Sequence, residues 1–174
     1  MISQKMQDSI NEQVKNELYS AYLYLSMSSW CQSADLPGFA NWMRVQAQEE
    51  LFHATKFFDY VISQDGRALL LAVDQPPHDF EAPQKMFEEV LNHEKKVTGM
   101  IYKLVDQAIA EKDHATNTML QWFVNEQVEE ESNAKQVLQK IKRVGKDASA
   151  LFMIDQELAA RVYTPPAAAG PAGA

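Results

Sequence analysis

Six residues of this 174-residue chain could act together on a cation: Glu17, Glu50, His53, Glu94, Gln127 and Glu130. Glu50-x-x-His53 sets a carboxylate and an imidazole on one helical face, close enough to hold one metal between them. The spacing alone is weak, because Glu and His fall three apart on many solvated helix faces. What strengthens it is where the other four stand. Each interrupts a seam of apolar residues. An unpaired carboxylate in an apolar interior is so unfavourable that it takes up a proton, pairs with a cation or coordinates a metal.

The seams emerge when each helical stretch is followed by alternate threes and fours, which keeps to one face. The first reads Ile10, Val14, Glu17, Ala21, Tyr24, and the second Phe39, Met43, Gln46, Glu50, His53, Phe57, Tyr60. The third reads Phe87, Val90, Glu94, Val97, Ile101, Leu104, Ala108, and the fourth Leu120, Phe123, Gln127, Glu130, Ala134, Val137, Ile141. The interruptions fall near mid-helix in all four, and no Lys or Arg lies on any seam. A buried hydrogen-bond network that only fixes register is the competing reading, and acids without a positive partner serve it badly.

Bringing these residues to one level requires four long helices. The first is expected from about Ser3 to Ala34, stopping at Leu36-Pro37-Gly38, and the second runs to about Asp65, ended by Gly66. A third spans about Pro83 to Glu111 with proline in its first turn, and after Lys112-Asp113 a fourth reaches Val144 before Gly145. Short connections make two antiparallel hairpins. The link of roughly 17 residues between them, through Pro76-Pro77, is long for a compact domain. Extended, it can run the roughly 40 Å length of one helix. The fold class is therefore all-α, a four-helix bundle with one long crossover between its second and third helices. Asp147 can cap a short fifth helix, about 147–160, whose Leu151, Ile154 and Leu158 share a face that needs a covering surface. One domain, 1–163 with the bundle at about 3–144, leaves a Pro/Ala/Gly-rich tail, 164–174, expected to be disordered.

Hydrophobic residues at 46% and charged residues at 23% are ordinary for a globular protein, and a net charge of -8 argues against nucleic acid or an anionic membrane surface as partner. Cys31 is the only cysteine, so no intrachain disulfide can form. The polar start from Met1 to Gln13 is unlike a signal peptide, and no apolar run could cross a bilayer. These features read as a cytoplasmic protein.

Two single carboxylates and one Glu-x-x-His match the donor pattern of di-iron carboxylate bundles, in which two helices give one Glu each and two give Glu-x-x-His. The fourth helix departs, offering Gln127-x-x-Glu130. Around these positions stand Asn16-Glu17-Leu18-Tyr19-Ser20, Gln48-Glu49-Glu50-Leu51-Phe52-His53, His93-Glu94 and the run from Leu120-Gln121-Trp122 to Glu129-Glu130-Glu131. On these motifs the chain resembles the non-haem ferritins of bacteria and archaea over roughly residues 3–163. The departure at Gln127 separates it from bacterioferritin and is itself a trait of that branch.

The resemblance implies a ferritin-like fold with a ferroxidase centre. Glu17, Glu50 and His53 would hold one iron, while Glu50 as a bridge, Glu94 and Glu130 would hold a second, with Gln127 as a nearby polar group. Hard oxygen donors with one imidazole suit a metal passing from Fe(II) to Fe(III). The oxidant would be O2 or peroxide, and the product a ferric oxyhydroxide mineral inside a hollow homo-oligomeric shell of 24 subunits. A di-iron oxidase or peroxidase on the same bundle, without mineral storage, is the alternative.

Further residues carry two readings each. Glu49, Glu126 and Glu129 match a third iron site of prokaryotic ferritins, against the bland reading of a solvated charge run. The resemblance places Tyr24 beside the centre, where it bonds a carboxylate or supplies an electron; Trp122 serves core packing or electron donation. No haem is expected, since Met here reads as a core gap-filler. His93 points about a hundred degrees away from Glu94 and reads as a surface or interface residue. The resemblance implies that the region after His114 lines three-fold channels, where gapless alignment with animal ferritins puts the two channel carboxylates at Asn117 and Leu120, which argues against an acidic iron-entry path there.

Overall fold

A computed structural model describes residues 2–165 of the chain, so the expected tail, apart from Thr164 and Pro165, lies outside the described residues. The helices are α1 (Gln4–Ser33), α2 (Pro37–Ser63), α3 (Pro83–Glu111), α4 (His114–Val144) and α5 (Ala148–Ala159), with no strand among the described residues. Their starts follow local chemistry. Ser3, Asp113 and Asp147 each accept a hydrogen bond from the backbone N–H three residues on, satisfying a donor the helix leaves open. α2 and α3 start on prolines, whose missing N–H is harmless there. Past the end of α2 the left-handed residue is Asp65 (φ 59°), and Gly66 gives room, since a Cβ there would stand 2.9 Å from the Val61 carbonyl oxygen.

α1 pairs with α2 and α3 with α4 as two hairpins. Residues 64–82 between them climb beside α1. Arg67 N–H donates to Gln7 Oε1 at 2.8 Å, Leu69 N–H to Asn11 Oδ1 at 3.1 Å, and Ser26 Oγ to the Pro77 carbonyl at 2.6 Å, after which Phe80 meets Trp30 edge-on. The partners on α1 rise from Gln7 to Trp30, so the crossover spans the helix and delivers α3 at the opposite end.

The interior is divided. One apolar cluster joins Met27, Phe39, Met43, Phe87, Val90 and Ile141 near one end of the bundle, and a second joins Ile10, Val14, Phe57, Ile101, Leu120 and Phe123 near the other. Each fully buried Phe or Leu contributes about 1.5–3 kcal/mol. α5 covers the first cluster with Ile154 and Leu158. Its Asp155, buried, accepts the free N–H groups of Gly38 at 2.8 Å and Phe39 at 3.0 Å, and so caps α2 from outside. That approach demands glycine, because a Cβ at Gly38 would sit 1.7 Å from the Asp155 carbonyl oxygen. No helix among the described residues is long and apolar enough to cross a membrane.

Candidate metal centre

Between the two apolar clusters lie the residues that break the seams. Glu17 comes from α1, Glu50 and His53 from α2, Glu94 from α3, and Gln127 and Glu130 from α4; none is more than 5% exposed. Glu17, Glu50 and His53 aim one ligand atom each into a space where all three lie within 4.8 Å of one another. His53 Nδ1 stands 3.4 Å from Glu50 Oε2, the two side chains being successive on one helical face.

The remaining groups are held by hydrogen bonds. Gln13 Nε2 donates to Glu17 Oε1 at 2.8 Å, Gln46 Nε2 to Glu130 Oε2 at 2.8 Å, and Gln127 Nε2 to Glu94 Oε2 at 3.2 Å and to Thr98 Oγ1 at 3.3 Å. The Tyr24 hydroxyl donates to Glu94 Oε1. Glu17, Glu94 and Glu130 thus each have an oriented oxygen, yet the set is not closed. Among the described residues, the buried side-chain atoms without a hydrogen-bond partner are Glu17 Oε2, Gln46 Oε1 and Glu50 Oε2, all at this level. Buried polar atoms are nearly always satisfied, so this concentration calls for a missing positive partner.

Electrostatics say the same. Burial, followed by the charge of Glu50, pushes the Glu17 carboxyl well above the usual carboxylate range. Burial, then Glu94 and Glu130, does so for Glu50, and burial raises Glu94. Glu130 is pushed up to about 8 by burial and then by Glu94 and Glu49. Tyr24 is raised well above its ordinary value by burial and then by Glu94. Burial opposes the ionisation of these carboxyls; with a cation among them they become a cage of oxygen donors and a single imidazole, the donor set that suits iron.

Glu49, Glu126 and Glu129 lie beside this cage rather than in it. Glu49 and Glu126 are half-buried and Glu129 exposed, and with His53 and Glu130 they line a cavity of about 130 Å³. Burial raises the Glu49 carboxyl while Arg161, its 2.7 Å partner, opposes the rise. Burial also raises Glu126, against the pull of His53. Trp122 packs edge-on to His53 at 5.5 Å and lies under Lys56, whose Nζ is 4.3 Å from the ring centre.

His93, expected at the surface or at an interface, is half-buried against α1, its Nε2 2.8 Å from Ser20 Oγ and its ring beside Tyr19 and Tyr24. Burial, followed by the charge of Lys96, lowers its pKa to about 4. The small Ser20 leaves the space that lets an off-seam side chain turn inward. Leu120, one of the two positions that the gapless alignment gives to channel carboxylates, is wholly buried in the second apolar cluster. Residues missed by sequence reasoning are Gln13, Gln46, Thr98 and Arg161. The two glutamines carry a signal, each standing one turn before a caged Glu on the same face; Arg161 lies outside any helical period.

Comparison with known proteins agrees with this architecture. The ferritin-like domain family, Ferritin, matches residues 7–144. A bacterial non-heme ferritin of Bacteroides fragilis is 46% identical over 92% of this chain and 100% of its own length, and one of Staphylococcus saprophyticus is 37% identical over 94% and 98%. Among solved structures, a closed form of the Archaeoglobus fulgidus ferritin engineered by site-directed mutagenesis superposes with a TM-score of 0.93 at 51% identity, covering 94% of this chain and all of that one. The open-pore ferritin of the same hyperthermophilic archaeon gives 0.92 at 50%, over 93% and 99%. This chain belongs to the ferritin family.

Proposed function

We propose that the protein stores iron and oxidises it on the way in. Fe(II) is the substrate, bound inside the bundle by Glu17, Glu50 and His53 at one position and by Glu50, Glu94 and Glu130 at a second, with Glu50 shared. The observation that carries this reading is the pair of buried, partnerless oxygens on Glu17 and Glu50, facing His53 with no Lys or Arg on any seam. Two Fe(II) give up one electron each to O2, which leaves as hydrogen peroxide after taking two protons; peroxide itself can serve as the oxidant in a second round. Carboxylates favour the more highly charged product. Gln127 and Gln46 hold Glu94 and Glu130 in place, and Tyr24 fixes the far oxygen of Glu94.

Glu49, Glu126 and Glu129 would take a third cation as iron leaves the centre. The shell is a homo-oligomer, 24 subunits by its resemblance, which fits the exposed apolar side chains Tyr22 and Leu25 on α1, Leu70 in the crossover and Phe152 and Met153 on α5. Inside it Fe(III) would hydrolyse to an oxyhydroxide mineral. Stopped-flow oxidation of Fe(II) at two or fewer per chain tests the site. Glu50→Ala and His53→Ala should each slow the initial rate by about a hundredfold or more, beyond what loss of an outer hydrogen bond costs a metal site. Unchanged rates in both, with the shell assembled, would remove the assignment.

A further inference from the structure

The chain after α5 is fixed rather than trailing. Asn41 Nδ2 on α2 donates to the carbonyls of Leu158 at 3.2 Å and Arg161 at 2.9 Å, which ties this segment across the start of α2. From there the Arg161 side chain lies on the Trp42 ring, its guanidinium carbon 4.7 Å from the ring centre, and Nη2 donates to Glu49 Oε2 at 2.7 Å. Arg161 and Tyr163 form one wall of the 130 Å³ cavity whose other walls carry Glu49, Glu126, Glu130 and His53. A water takes about 30 Å³ of liquid, so the space admits a cation with part of its hydration shell. Among the described residues that line it, Arg161 is the only Lys or Arg.

We propose that Arg161 is a tethered cation that competes with metal for Glu49, and so keeps the third cation site weak enough to pass its occupant on. The inference rests on the reading that Glu49, Glu126 and Glu129 take a third cation. A guanidinium never deprotonates, so its hold on Glu49 is present at every working pH. A metal ion that coordinates Glu49 meets that charge directly and must displace it or share the carboxylate against it. Displacement has a place to go. Trp42 offers a π-face and its carbonyl lies 3.4 Å from Nη1, so the guanidinium can release Glu49 and stay parked on the ring. The cage residues Glu130 and His53 line the same cavity, so an ion in it lies between the cage and Arg161.

Calorimetric titration of Zn(II), a redox-inert probe, into the metal-free assembled protein tests this. Arg161→Gln should bind its third Zn(II) about tenfold or more tightly than the wild type, with the first two events unchanged. Arg161→Lys, which keeps the charge, should restore wild-type affinity. A third event in Arg161→Gln that is unchanged, weaker or absent overturns the proposal. So does an Arg161→Lys that behaves as Arg161→Gln, because stacking rather than charge would then set the affinity. A Glu126→Gln/Glu129→Gln variant separates the two layers of the argument. If it keeps three events at wild-type affinity, the third-site reading itself fails, whatever the Arg161 variants do.

Discussion

The bundle contains two kinds of interior, and they obey opposite rules. Toward each end, Phe39 and Phe87 or Phe57 and Phe123 pack ring against ring with no polar atom to satisfy. At the middle, four carboxylates and an imidazole are buried with partnerless oxygens on Glu17 and Glu50 and, among the described residues, no buried Lys or Arg. The ends hold the helices together; the middle is tolerated because they do. A site that must desolvate acids can exist only where two apolar clusters of this size flank it, which is why the seams fail at mid-helix and not near an end.

The contrast can be broken from either side. Phe39→Ala, at the end covered by α5, should lower stability by about 3–5 kcal/mol, seen as an earlier thermal transition, while the shells that remain folded oxidise Fe(II) at the wild-type initial rate. Glu50→Ala should do the reverse, leaving melting unharmed while oxidation falls about a hundredfold. Equal damage to both properties in both variants would mean that the two interiors are not separable.

Acidity sharpens the comparison. Glu130 has a folded pKa of about 8 against an ordinary value of 4.5, because burial and then Glu94 and Glu49 resist its ionisation. A raised carboxyl stabilises the fold fully below the unfolded pKa and loses that contribution as pH rises through the folded one. The metal-free protein should therefore melt earlier as pH climbs from 4.5 to 8, and Glu130→Gln should flatten that slope. Calorimetry in chelator across this range checks it, and a slope identical in the two proteins would contradict the assignment. The smallest effect is expected at the cap. Ser3→Ala, at the outer end of α1, removes one acceptor and should lower stability by about 1 kcal/mol with oxidation untouched.

Much of this was legible in the chain because helical periodicity is local. The four seams predicted burial correctly for the caged residues and for nearly all their apolar neighbours, Tyr60 alone being half-buried. Asp147 as a cap and the long crossover followed from turn chemistry and chain length; that the crossover runs beside α1 did not. What escaped depends on distant partners. Asp155 caps α2 across more than a hundred residues, Gln46 reaches Glu130 on another helix, and Arg161 finds Glu49 from beyond the last periodic segment. The contact of His93 with Ser20 also escaped, because an angle from the seam says nothing about the residue opposite.

The most direct measurement is the iron that co-elutes with the chain on size exclusion after Fe(II) is added to the metal-free protein in air. Far more iron per chain than three sites can hold, travelling with a large particle, is the predicted result. Iron at the level of a two-metal centre alone would favour an oxidase that stores nothing, and no retained iron would contradict the account.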